Sequence, residues 1–246
     1  MLIACLMRPM KAKHTFTPFE ELLRGIRTGT QLGWSQVERP FLEVVEAFDF
    51  EYSSGNHAEG WYQAKARYFN DLVVDLLSNR SSKHISTRLK KKSRLFEKLD
   101  VDICYPIDDP PRIAGEVKAL GTPPHPGNKN EPRGGSADLH KRVREVAFTS
   151  MDLKVAYSPP KPIGSFQHWI DSTEPGYFSF WAIRAADDSD LERVRSMLSS
   201  LRAYCNGVGA IIYRPRRLDT PTAYEVVPLK ELSIEAAIQE MAQRIA

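Results

Sequence analysis

Three charged residues interrupt apolar sequence in the segment VDICYPIDDPPRIAGEVKAL, residues 101–120. Asp102 breaks the first apolar run, and Glu116 and Lys118 break the second, on the far side of a Pro/Asp-rich turn. Charges inside apolar strands are costly, so their presence asks for a partner. Side chains alternate along a strand, which puts Glu116 and Lys118 on one face and Gly115 and Val117 on the other. A hairpin folded about Asp109 sets Asp102 opposite Glu116. Moving the centre of the hairpin by one residue sets it opposite Lys118, still on the same face. Either way two carboxylates and an ammonium converge. Close carboxylates repel unless something positive joins them. A hard divalent cation bound through oxygen suits such a pair, and Mg²⁺ commonly takes one or two carboxylates plus a substrate phosphate.

The elements that must position these residues can be traced outward. Upstream, EGWYQAKARYFNDLVVDLL repeats Trp61, Phe69, Leu72, Val73, Leu76 and Leu77 at helical spacing. Before it, TPFEELLRGI and SQVERPFLEVVEAF predict two helices, the first with Thr17 as cap, Pro18 in the first turn and Glu20 completing a capping box. Between the long helix and the hairpin lies NRSSKHISTRLKKKSRLFEK, strongly basic, where Ile85, Leu89 and Phe96 suggest a further helix. Downstream, residues 121–136 form a long Gly/Pro/Asn loop, a type that is usually functional or disordered. SADLHKRVREVAFTSM follows as a helix, and residues 158–176 as a second Pro-rich loop. YFSFWAIRA and VGAIIYRP read as buried strands around the helix SDLERVRSMLSSLRAYCNG, with Ser189 and Glu192 as its capping box and Gly207 as its stop. A last helix spans about residues 233–245. Strand, helix and strand in succession imply a parallel crossover beside an antiparallel hairpin. The expected fold class is therefore α/β, a mixed β-sheet flanked by helices, with a helical N-terminal region at 1–55 and the remainder at 56–246 in one compact domain overall.

Composition is ordinary for a globular chain, and a net charge of +3 does not announce a polyanion partner, so local charge must do so. Cys5, Cys104 and Cys205 form no CxxC pair, which argues against a zinc knuckle or disulfide framework and fits a reducing cytoplasm. The opening MLIACLM is too short for a signal peptide, and no run approaches a membrane span of roughly 18 apolar residues. GxxxxGK[ST], HExxH and GxSxG patterns are absent, and GVG at 207–209 is no dinucleotide fingerprint.

An Asp near the end of one strand and Glu-Val-Lys in the middle of the next resemble the PD-(D/E)xK nuclease superfamily, to which many type II restriction endonucleases belong. The resemblance extends to the helix before the hairpin and to the helix and strand after it. It implies an α-β-β-β-α-β core over roughly residues 56–186. Two features depart from the pattern: Val101 stands where the literal Pro of "PD" would be, and the first core strand is not evident. The resemblance implies that Asp102 and Glu116, with the Val117 carbonyl, bind Mg²⁺, while Lys118 orients or deprotonates water and stabilises the charged phosphorus. It also implies in-line hydrolysis of double-stranded DNA to 5′-phosphate and 3′-hydroxyl ends. Some members add an acid from the preceding helix. Glu59 is the candidate here, and an ordinary first-turn acid is the alternative. Asp108 and Asp109 suit a turn better than ligation.

The basic stretch at 80–98, with Lys90, Lys91 and Lys92, fits phosphate contact and equally fits a solvated helix face. Asn128, Lys129, Asn130 and Arg133, in the loop after the Glu-Val-Lys strand, suit base edges. Gln167, His168, Arg214, Arg216 and Arg217 are further candidates, and His140 reads as structural. Within the superfamily, the size and long loops favour a restriction enzyme acting as a homodimer on palindromic sites. A non-cleaving DNA-binding protein on the same fold, or a resolvase or repair nuclease, is the alternative.

Overall fold

The computed structural model describes residues 15–29, 32–55, 60–127, 132–157, 175–217 and 220–246. Six strands form one mixed sheet in the order of the chain: β1 (Ser86–Lys92), β2 (Lys98–Tyr105), β3 (Ile113–Leu120), β4 (Gly176–Arg184), β5 (Gly207–Arg217) and β6 (Thr220–Val227). The β1–β2, β2–β3 and β5–β6 pairs are antiparallel, whereas β3–β4 and β4–β5 are parallel. The fold is thus α/β with a mixed sheet flanked by helices, as composition and pattern predict.

Helices α1 (Thr17–Thr28), α2 (Trp34–Ser53), α3 (Trp61–Ser81) and α6 (Ile234–Ile245) share one face of the sheet. Helices α4 (Leu139–Tyr157) and α5 (Asp188–Leu201) share the other. The central strand β4 serves both layers and is buried throughout. Phe178 and Phe180 enter the core under α3 and α6, while Tyr177, Trp181 and Ile183 enter the core under α4 and α5. Gly115 on β3 lets the neighbouring backbone approach, because a Cβ there would stand 2.7 Å from the Phe178 carbonyl oxygen.

The N-terminal helices pack into the same core as the sheet. Phe19 stacks on Tyr68, and the Tyr68 hydroxyl accepts the Phe16 N–H at 2.7 Å. Asp49 on α2 and Lys65 on α3 form a buried ion pair at 2.8 Å, to which Tyr224 on β6 donates its hydroxyl. No helix among the described residues is long and apolar enough to cross a membrane.

Several local expectations are corrected. The basic segment expected as a helix is β1 followed by a turn, so the first strand of the hairpin region exists after all. Its lysines alternate: Lys91 is buried and Lys90 and Lys92 are exposed, the period of a strand. Phe16, not Thr17, stands at the α1 N-cap. Pro40 lies well inside α2 rather than near its start. Asp187 caps α5 by accepting the Asp190 N–H, in place of Ser189, and α5 ends at Leu201, leaving Gly207 to begin β5. β6, an edge strand containing Pro221, was not anticipated.

Candidate functional site

The site forms where the pairing of β2 with β3 ends. The β2–β3 ladder pairs Ile103 with Gly115, Cys104 with Ala114 and Tyr105 with Ile113, and goes no further. Continued by one step, that register sets Asp102 opposite Glu116, the first of the two registers expected. The Asp102 carboxylate takes over at that point, accepting the Val117 backbone N–H on Oδ2 at 3.0 Å. On the other side, the β1–β2 ladder pairs Thr87 with Ile103 and Leu89 with Val101, and skips Arg88 and Asp102 between them. Arg88 has φ of 54°, left-handed backbone that a long side chain rarely adopts. Such conformations concentrate at functional sites.

Asp102, Glu116 and Lys118 are brought together. The Lys118 ammonium pairs with Glu116 Oε2 in a short contact and lies 3.7 Å from Asp102 Oδ2. Glu116 is the deepest of the three, with only 5% of its surface exposed, and Tyr177 on β4 donates its hydroxyl to Oε1 at 2.9 Å. Burial alone would lower the Lys118 pKa. The Glu116 and Asp102 carboxylates outweigh it and hold the amine above its ordinary value, so Lys118 is an ammonium at neutral pH. The Tyr177 phenol is pushed far up by burial and then by Glu116, so it remains a donor. Two carboxylates and one ammonium leave the cluster one negative charge in a partly dry place, where charge is weakly screened.

The donor set is all oxygen: the Asp102 and Glu116 carboxylates and the main chain of β3. This fits a hard cation such as Mg²⁺. Among the described residues no group of three or more His, Cys, Asp or Glu assembles.

Against α3, on the side of the sheet where Val117 is buried, a cleft of about 310 Å³ opens, lined by Gln63, Ala66, Arg67 and Asn70 from α3, Arg88 from β1, Asp102 and Val117; of the cluster, Asp102 reaches it. Gln63, Arg67 and Asn70 are spaced as one helical stripe, a signal that could have been read from the sequence.

No family model, curated protein or solved structure matches this chain. The site therefore has to be interpreted from its own chemistry.

The remaining candidates divide clearly. Glu59, Asn128, Lys129, Asn130, Gln167 and His168 lie outside the described residues. Lys91 is not available for DNA: its ammonium is buried against the Ile107 carbonyl and the Asp109 carboxylate. Asp109 acts as that anchor and also accepts the Tyr157 hydroxyl. Slight burial raises its pKa, but the bonds from Lys91 and Tyr157 bring it below the usual carboxylate range. Lys90 is exposed beside Asp100, and Lys92 is exposed. Arg133 is exposed and pairs with Asp138. Arg214 is held by Asp188 and Glu225, and Arg216 by Glu46 and the Tyr224 carbonyl, which ties both to this chain's own acids and backbone. Arg217 and His140 are exposed.

Proposed function

We propose that the protein is a Mg²⁺-dependent, sequence-specific endonuclease of double-stranded DNA, of the type II restriction kind, built on the PD-(D/E)xK plan. The observation that carries this reading is the meeting of Asp102, Glu116 and Lys118 at the point where β2 parts from β3 and skips one pairing with β1. The succession α3, β1, β2, β3, α4, β4 over residues 61–184 supports it, because it follows the order the resemblance implies.

Asp102 and Glu116, with the Val117 carbonyl, would hold the metal. When bound, Mg²⁺ offsets charge on the scissile phosphate and lowers the pKa of the attacking water. Glu116 is fixed by the Tyr177 hydroxyl, so its second oxygen stays aimed at Lys118. Lys118, protonated in the resting protein, orients the water by donating a hydrogen bond and stabilises negative charge growing at phosphorus. A raised pKa makes it a poor proton acceptor, so charge and orientation are its main contributions. On palindromic sites two copies act as a two-fold dimer.

The test is direct. Purified protein incubated with plasmid DNA should cut it to discrete fragments with Mg²⁺ or Mn²⁺. Ca²⁺ should support binding with little cutting, and ligation of the products should require their 5′-phosphates. Undiminished cutting in excess chelator would refute the metal assignment. Tight binding without cutting under every metal would identify a non-cleaving DNA-binding protein instead.

A further inference from the structure

We infer that the cleft against α3 seats a backbone phosphate of the bound nucleic acid, with Arg67, Arg88 and Asn70 as its holders. The inference rests on the nuclease reading above and extends it to residues outside the Asp102–Glu116–Lys118 cluster.

The strongest indication is Asn70. Only 5% of its surface is exposed, and neither its amide oxygen nor its amide nitrogen meets a partner among the described residues. A buried amide left without hydrogen bonds is costly and rare, and it asks what completes it. Asn70 lines the cleft, so a ligand entering there can reach it. The rest of the wall indicates the ligand's character. Arg67 and Arg88 contribute two guanidiniums and Gln63 a second amide, beside the apolar Ala66 and Val117 and one acid, Asp102; Arg88 also pairs with Asp71 at 3.4 Å, half-exposed, a contact that phosphate can replace. Guanidiniums and amide N–H groups bind phosphate oxygens well, and guanidinium geometry suits bidentate contact. Arg88 also owes its position to its left-handed backbone, which lifts it out of the β1–β2 ladder opposite Asp102. A phosphodiester in this cleft lies beside the carboxylate that the proposed chemistry requires.

The test measures binding of a fluorescent duplex in Ca²⁺, across a range of salt concentrations, together with Mg²⁺-dependent cutting and thermal melting. Each phosphate contact steepens the fall of log affinity with log salt by about 1. Arg88→Gln and Arg67→Gln should each flatten that slope by about 1. Asn70→Leu, similar in size and without polar atoms, should weaken binding while raising Tm by about 2–4 °C, since it removes an unsatisfied amide. If Arg67→Gln loses its fold because that side chain packs on Tyr68, at 5.0 Å from the ring, the variants at exposed Arg88 and buried Asn70 decide the matter. Wild-type cutting combined with unchanged slopes and affinities in the folded variants overturns the cleft assignment and leaves the nuclease reading standing. Binding with the expected slope changes but no cutting overturns the nuclease reading and leaves the phosphate seat. Absence of any duplex binding, with stabilisation by inorganic phosphate alone, overturns the assignment to a nucleic acid strand.

Discussion

Lys118 is the residue at which charge, position and chemistry can be separated. Its ammonium lies between two carboxylates, and it shares a strand face with Glu116 while Val117 holds β3 in the opposite core. Lys118→Ala and Lys118→Met should therefore lower cutting by roughly 10²–10³-fold while preserving DNA binding, as expected for a group used mainly in the transition state. Close to wild-type cutting by the Met variant would remove Lys118 from the mechanism. The pH dependence has a definite sign. Because the folded pKa is raised, the ion pair's contribution to stability is complete below the unfolded value of about 10.4 and is lost only as pH climbs through the higher folded value. The urea-midpoint difference between wild type and Lys118→Met should hold steady from neutrality to about pH 10 and change only above it. A change at lower pH would mean that the amine is not held as described.

At the scale of elements, the decisive feature is how closely β3 can approach β4. Gly115→Ala would push a methyl group to 2.7 Å from a backbone oxygen, which cannot turn aside as a flexible side chain could. We expect a loss of about 1–3 kcal/mol, read as a lower urea midpoint, with weaker cutting because the shift acts on the residue beside Glu116. The sequence made this strand legible because apolar residues alternate around the two charges, while the turn left two registers open, of which the Ile103–Gly115 pairing selects the one with Asp102 opposite Glu116. The same reasoning failed for β1. Its lysines suggested a charged helix, although one of them, Lys91, is buried and held by a loop distant in sequence. Nothing local distinguishes a lysine buried by a tertiary partner from one in water. β6 was missed because Pro221 reads as a break and is tolerated only on an edge. Asn70 is not legible in the sequence, because it sits among the apolar residues of a helix and its lack of partners exists only in three dimensions.

At the scale of the whole molecule, the helical N-terminal region and the sheet are joined by buried charge. Asp49 and Lys65 pair at 2.8 Å with both side chains at least nine-tenths buried, and Tyr224 ties them to β6. Burial opposes the charged lysine, but Asp49 outweighs it and raises the Lys65 pKa. Lys65→Met or Asp49→Leu alone would strand one buried charge, and each should cost about 3–5 kcal/mol. The double variant should recover much of that loss, because an apolar pair of similar volume replaces both charges. Equal losses in the single and double variants, measured by denaturant unfolding, would show that the ion pair is not what joins the two layers.

Lys90 and Lys92, on either side of the buried Lys91, give the outer strand β1 a charged margin. β1 is one edge of the six-stranded sheet among the described residues, and an edge strand can offer backbone groups to a second chain, although the Lys92 N–H is already taken by the Tyr157 hydroxyl. Exposed lysines on such a strand deter that pairing, since each incoming copy would carry the same charge, and the kink at Arg88 makes the edge less flat. The lysines that suit a phosphate backbone thus also guard against aggregation. Neutral substitutions at Lys90 and Lys92 remove both properties together. Weakened DNA binding in such variants acquires meaning only alongside light scattering at the same concentration, and Lys→Glu substitutions, which keep charge on the edge while repelling phosphate, separate the two roles.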